Sequence, residues 1–183
     1  MAVDRVEQRL RKVTAALDAA GIAYAVVGGN AVAAWVARAD PAATRATKDV
    51  DLLVRRGDDA RISEVMAGLG YTRQDLRRLV LYIDPDEPSR RSGVHLVWAG
   101  ERVRPSYDIE TPSVDEAVID PDGFRVLDLP ALVRMKLTSF RDIDRVHVAD
   151  LMAVGLVTEQ VIASLPASLQ RRAAEVRASL EDL

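Results

Sequence analysis

The chain has 183 residues and a formal net charge of −3, with 49% hydrophobic and 29% charged residues. These are the proportions of a globular protein large enough for one packed core. It has no cysteine, which excludes a disulfide scaffold, a thiolate zinc site and a cysteine nucleophile. The acidic balance argues against general DNA binding through a basic surface. Met1 to Leu10 carries no signal-peptide apolar region, and no run approaches the ~20 apolar residues of a membrane span. The expectation is therefore a soluble, cytoplasmic protein with no membrane partner.

In chain order, Val3, Val6, Leu10, Val13 and Leu17 recur at three- and four-residue steps, which predicts a helix over 3–20 closed by Gly21. Ile22 to Val27 reads as a buried strand ending at Gly28-Gly29. A helix follows over Asn30 to Arg38, then a Pro41-containing loop to residue 47. Val50 to Val54 is a second strand, and Ile62, Val65, Met66 and Leu69 mark a helix closed by Gly70. Leu79 to Ile83 and Val94 to Trp98 are two strand-length apolar runs. The turn-rich segment between them predicts antiparallel neighbours. Phe124 to Leu127 reads as another strand. From Asp128, an N-cap with Pro130 in the first turn, the chain reads as helical to its end, with breaks near Gly155 and Pro166.

This order predicts an α+β (mixed α/β) fold: a small mixed sheet flanked by helices, with a C-terminal helical part. Residues 1–127 form the α/β core and residues 128–183 pack on it, within a single domain.

Two motifs carry chemistry. Asp49 and Asp51 stand at i and i+2 at the start of an apolar strand, so their carboxylates share a side. Such a pair repels unless a cation sits between the two, and Mg²⁺ takes carboxylate oxygens while keeping positions for phosphates. The alternative is a solvated strand end. Gly28-Gly29-Asn30 joins a strand to a helix, where bare backbone amides and the helix dipole receive a phosphate, or where the chain simply turns tightly. Neither dinucleotide nor P-loop glycine spacing is present.

Together, Val27-Gly28-Gly29 followed by Asp49-Val50-Asp51-Leu52 resembles the pattern of the nucleotidyltransferase superfamily. Thr47 to Val54, with Arg134-Met135-Lys136-Leu137, Arg141-Asp142 and Asp150-Leu151 later in the chain, resembles bacterial members related to the AbiEii-type toxins. The resemblance spans roughly residues 22 to 155. It implies a transferase that moves an NMP from an NTP to an acceptor hydroxyl on RNA, protein or a small molecule, with Mg²⁺ or Mn²⁺ as cofactor, a toxin-like role and an antitoxin partner. It assigns metal binding and catalysis to Asp49 and Asp51, and nucleotide binding to Gly28, Gly29, Asn30, Lys48 and Lys136. Asp150 is either the general base for the acceptor or a helix-surface partner of Arg145 or His147.

Two departures accompany the resemblance. The spacer between Gly29 and Asp49, residues 30 to 48, is longer than the family's usual spacing. The family's third carboxylate position falls at His95, which is either a third metal ligand or a satisfied histidine on the sheet. Two readings therefore compete with the toxin-like enzyme: an antibiotic-type small-molecule nucleotidyltransferase, and a non-catalytic nucleotide- or partner-binding module. Arg141, Asp142, Asp144 and Arg145 read as a solvated helix face. Trp35, Tyr71, Tyr82, Trp98 and Tyr107 are scattered, one of them a candidate to stack on a nucleobase.

Overall fold

A computed structural model describes residues 2–77 and 79–181, with side chains from Arg5 onward. The Val3 side chain of the predicted first stripe lies outside the described residues, as do Met1 and Leu183 at the ends of the two predicted parts. The rest of the stripe is real. Helix α1 (Ala2–Ala19) buries Val6, Leu10, Val13 and Leu17, and Gly21, at φ +63°, closes it.

Among the described residues, seven strands form one mixed sheet: β1 (Tyr24–Val27), β2 (Val50–Val54), β3 (Thr72–Leu76), β4 (Leu79–Ile83), β5 (Val94–Trp98), β6 (Ala117–Ile119) and β7 (Arg125–Leu127). Their order is β3-β4-β5-β2-β1-β7-β6. The interior strand β1 is wholly buried, runs antiparallel to β2 and pairs in parallel with β7. Strand β2 pairs in parallel with β5, and β5 lies antiparallel to β4 as the intervening turn predicts. The mixed α/β class is thus the observed one.

Sequence patterning misses the two edge strands. β3 reads Thr-Arg-Gln-Asp-Leu and buries none of its residues, and β6 leaves Ile119 65% exposed. An edge strand is held by ladder hydrogen bonds to one neighbour and needs no alternating apolar face.

Helices α2 (Gly28–Ala39) and α3 (Asp59–Gly68) belong to the first half of the chain. Helices α4 (Leu129–Ser139), α5 (Asp142–Ala153), α6 (Glu159–Ala163) and α7 (Ala167–Glu181) complete it. Besides the expected breaks, Phe140 turns left-handed at φ 48° and separates α4 from α5. One continuous core joins α1, the sheet and the C-terminal helices, from Val6 to Val176, and α5 packs against α2. Among the described residues, no helix is long and apolar enough to cross a membrane.

Candidate active site

The sheet register builds the site. Val27, the last residue of β1, pairs with Asp51 on β2, and Asp51 pairs with His95 on β5. Three neighbouring strand ends therefore present Gly28, Asp51 and His95 side by side. Asp49, two residues before Asp51, joins them, and one ligand atom from each of Asp49, Asp51 and His95 falls within 4.8 Å of the others.

The glycines make room for this approach. Gly28 has φ +66°, and a Cβ there would lie 1.9 Å from Asp51 Oδ2. A Cβ on Gly29 would press on Thr47 Cβ and Oγ1 at 3.2 Å. Helix α2 starts at Gly28 with no side-chain cap on its N-terminus, so its first N–H groups are free to receive an anion.

The loop before β2 is tied down at several points. Asn30 Nδ2 donates to Asp49 O at 2.6 Å, and Thr47 Oγ1 donates to Asp49 Oδ1 at 3.1 Å. Buried Arg9 on α1 donates to Asp84 at 2.7 Å and to Glu87 at 2.9 Å, and reaches Lys48 O at 3.3 Å. The Asn30 side chain holds the Asp49 backbone and does not line the cleft, while its N–H belongs to the first turn of α2. Arg9 was not foreseen, although a lone arginine between Val6 and Leu10 on the apolar stripe is its signal.

His95 is 16% exposed in its side chain. Its Nδ1 faces Asp51 Oδ1 at 3.2 Å and Asp49 Oδ2 at 3.6 Å, and its Nε2 donates to Arg90 O at 3.2 Å. Burial pulls its pKa down, but the hydrogen bond and charge of Asp51, with the Arg90 carbonyl and Asp49, outweigh burial and raise it. With both nitrogens donating, the ring is an imidazolium set against two carboxylates. Deprotonated at Nδ1, the same ring offers a lone pair toward the carboxylates while Arg90 O fixes the tautomer, which is how metal-binding histidines are oriented. Two carboxylates and one oriented imidazole fit a divalent cation, and the nitrogen donor shifts the set toward ions softer than Mg²⁺.

Around this cluster lies a cleft of about 690 Å³. Gly28, Gly29, Thr47, Lys48, Lys136, Arg141, Asp144 and His147 line it, as do Arg104, Tyr107 and Glu110 from the irregular segment after β5. Lys48 is exposed on its rim. Of the five candidate stacking aromatics, Tyr107 is the one that lines the cleft. Tyr71 and Tyr82 are core residues, and Trp35 donates to Leu127 O.

Lys136 is buried, and its Nζ donates to Asp144 Oδ1 at 3.1 Å. Asp144 has no exposed surface, so the expected solvated face fails at its centre. Its carboxylate also accepts from Ser139 Oγ at 2.7 Å and from the Arg141 guanidinium at 2.7 Å. Burial raises its pKa, and Arg141, Lys136 and Ser139 more than reverse that, holding it at about 2. The break at Phe140 explains the misreading: it turns the start of α5 back onto Lys136, which a single continuous helix would not do.

Asp150 does not line the cleft. It accepts from Arg45 Nε at 2.6 Å, and Arg145 pairs with Glu175. The expected general base is therefore engaged elsewhere, and its expected partners are not the observed one. One turn earlier on α5, His147 does line the cleft.

The sequence matches no protein-family model and no curated protein. The fold is similar to the solution structure of the antibiotic-resistance factor ANT(2'')-Ia, at TM-score 0.64 and 17% identity over 100% of both chains. It is also similar to the crystal structure of ANT(2'')-Ia in complex with adenylyl-2''-tobramycin, at TM-score 0.56 and 17% identity over 97% of this chain and 99% of that one. A likeness at this identity establishes architecture: the chain has a nucleotidyltransferase-type fold.

Proposed function

We propose that the chain is a metal-dependent nucleotidyltransferase that moves a nucleoside monophosphate from a nucleoside triphosphate to an acceptor hydroxyl. The observation that carries this reading is the meeting of Asp49, Asp51 and His95 against the Gly28 backbone, beside the uncapped end of α2. Fold alone does not assign activity, so the residues must.

In this reading, the amides of Gly28 and Gly29 receive phosphate oxygens, while Lys136 and the exposed Lys48 supply positive charge. Asn30 and Thr47 keep Asp49 in place. Asp49, Asp51 and His95 would hold Mg²⁺ or Mn²⁺, which when bound supplies neutralising charge to the phosphates and makes the acceptor hydroxyl a better nucleophile. The acceptor oxygen bonds to the α-phosphorus as the bond to the bridging oxygen breaks. Pyrophosphate leaves, and the acceptor proton passes to the Asp49–Asp51 carboxylates. Catalysis is then mainly positioning and fixed charge.

The likeness to ANT(2'')-Ia, solved with adenylyl-2''-tobramycin, supports a small hydroxylated acceptor over RNA or protein. The toxin-like role and the antitoxin partner rest on the AbiEii resemblance alone.

Thermal-shift titrations with each of the four NTPs, with and without Mg²⁺ or Mn²⁺, test the binding step. Transfer of α-phosphate label to aminoglycosides, RNA or protein then tests the chemistry. The expected result is metal-dependent stabilisation by at least one NTP and labelled product with release of pyrophosphate. Binding without transfer to any acceptor would move the chain to the binding-module reading. Absence of metal-dependent nucleotide binding would overturn both.

A further inference from the structure

His147 stands on α5 in the wall of the cleft, and its Cε1 lies 3.8 Å from the position a Cβ on Gly29 would take. Its Nδ1 is buried and has no hydrogen-bond partner among the described residues. A buried polar nitrogen without a partner is costly and marks a place where a bound group completes the site. Two independent features of the same cleft say what that group is. The first N–H groups of α2, reached through Gly28 and Gly29, have no side-chain cap, and Lys136 brings a buried positive charge. Free amides, an ammonium and an imidazole nitrogen form a donor set for an anion of several oxygens.

We infer that His147 is a phosphate ligand of the nucleotide site, its Nδ1 donating to a phosphoryl oxygen of a triphosphate seated at the start of α2. This inference rests on the nucleotidyltransferase reading and adds to it a binding residue that the resemblance does not assign.

The charges around the ring set a second consequence. Lys136 faces it from α4, and Arg141, Asp144 and Asp150 face it from α5 and its N-terminal end. Arg45 stands behind on Asp150, while α2 and the loop contribute uncharged Gly29 and Thr47. Burial and then Lys136 lower the pKa of the ring to about 4, against the opposing pull of Asp144 and Asp150, so the imidazole of the free protein is neutral near pH 6. A triphosphate brings the negative charge that reverses this balance. The ring then takes one proton from solvent as the phosphate binds.

Calorimetric titration of the full chain with inorganic tripolyphosphate, at pH 6 in two buffers of different ionisation enthalpy, tests both parts. The wild type should bind with net proton uptake. His147→Gln should bind roughly tenfold more weakly, the loss of one hydrogen bond to a charged group, and should take up fewer protons than the wild type, by the share that His147 contributes above the common background of His95 and the anion. In parallel, ¹⁵N spectra of the wild type should show the His147 imidazole shifting to its protonated form on saturation, which keeps the test independent of how well the variant folds. Unchanged affinity or undiminished uptake in His147→Gln would overturn the inference, as would an unmoved His147 signal. Failure of the wild type to bind tripolyphosphate would overturn it too. If the wild type still bound Mn²⁺ with a non-hydrolysable NTP, that outcome would leave the nucleotidyltransferase reading intact.

Discussion

Gly28 and Asp51 compete for one volume: a Cβ on Gly28 would stand 1.9 Å from Asp51 Oδ2. Gly28→Ala must therefore push the Asp51 carboxylate aside. It must also hold a φ of +66° that an L side chain disfavours by about 1–2 kcal/mol. The variant should lose that much stability by urea unfolding and lose most of its metal-dependent nucleotide binding. Wild-type nucleotide affinity would detach the glycine from the site.

Asp51→Asn removes the nearer of the two carboxylates facing His95 Nδ1. Metal affinity should fall by about tenfold or more, since a hydrogen bond or ligation to a charged group is worth ~1.5–3 kcal/mol. The pKa of His95, which Asp51 raises, should drop toward its ordinary value, read by NMR titration. An unmoved His95 signal would mean that the two residues do not interact in solution.

His95 donates from both nitrogens when protonated, so metal binding must displace the Nδ1 proton. Titration of the apo protein with Mn²⁺ near pH 6 should release protons, and affinity should rise with pH across the raised pKa of His95. The wild type should prefer Mn²⁺ to Mg²⁺, and His95→Asp should narrow or reverse that preference, because a carboxylate suits the harder ion. His95→Ala should weaken both ions. Equal Mg²⁺ and Mn²⁺ affinities in the wild type and in His95→Asp would remove the ring from the ligand set.

Asp144 is fully buried beneath Lys136, Ser139 and Arg141. Asp144→Ala leaves the Lys136 ammonium buried without its partner, which should cost about 3–5 kcal/mol. The double variant Asp144→Leu with Lys136→Met should recover much of that stability but not nucleotide binding. A single variant as stable as the wild type in urea would show that the pair is not buried in solution.

Acid should destabilise the fold in two steps. The folded pKa of His147, about 4, lies below its ordinary 6.5. The unfolded chain therefore binds the proton first, and the stability present above pH 6.5 is lost as pH falls toward 4. The folded pKa of Asp144, about 2, lies below 3.8. Its contribution is present above pH 3.8 and is lost as pH falls toward 2. His95 acts in the opposite sense, since its raised pKa adds stability as pH falls. Both proteins share that gain, so between pH 7 and pH 4 the urea midpoint of the wild type should drop relative to that of His147→Gln. Parallel curves would show that the ring is not held neutral.

The sequence by itself determined the interior of the molecule and one end of its site. Largely apolar runs mark β1, β2, β4 and β5 because their faces are mostly buried, and the polar exceptions, Asp51 on β2 and His95 on β5, are the residues that face the cleft. The i, i+2 spacing of Asp49 and Asp51 points to two carboxylates on one side because a strand alternates, and Asp49, which stands just before β2, is held there by Asn30 and Thr47. What lies at the sheet edges and between distant segments was not legible there. Strands β3 and β6 show no pattern, since one ladder neighbour suffices to hold them. Only the pairing of β2 with β5 brings His95 to Asp51, 44 residues away. Only the left-handed turn at Phe140 folds Asp144 under Lys136 and sets His147 against Gly29, while Asp150, one turn further along α5, is drawn away by Arg45. Local periodicity reports which face of an element is buried. Which buried face meets which is decided by register and helix packing, and those arise from the whole chain at once.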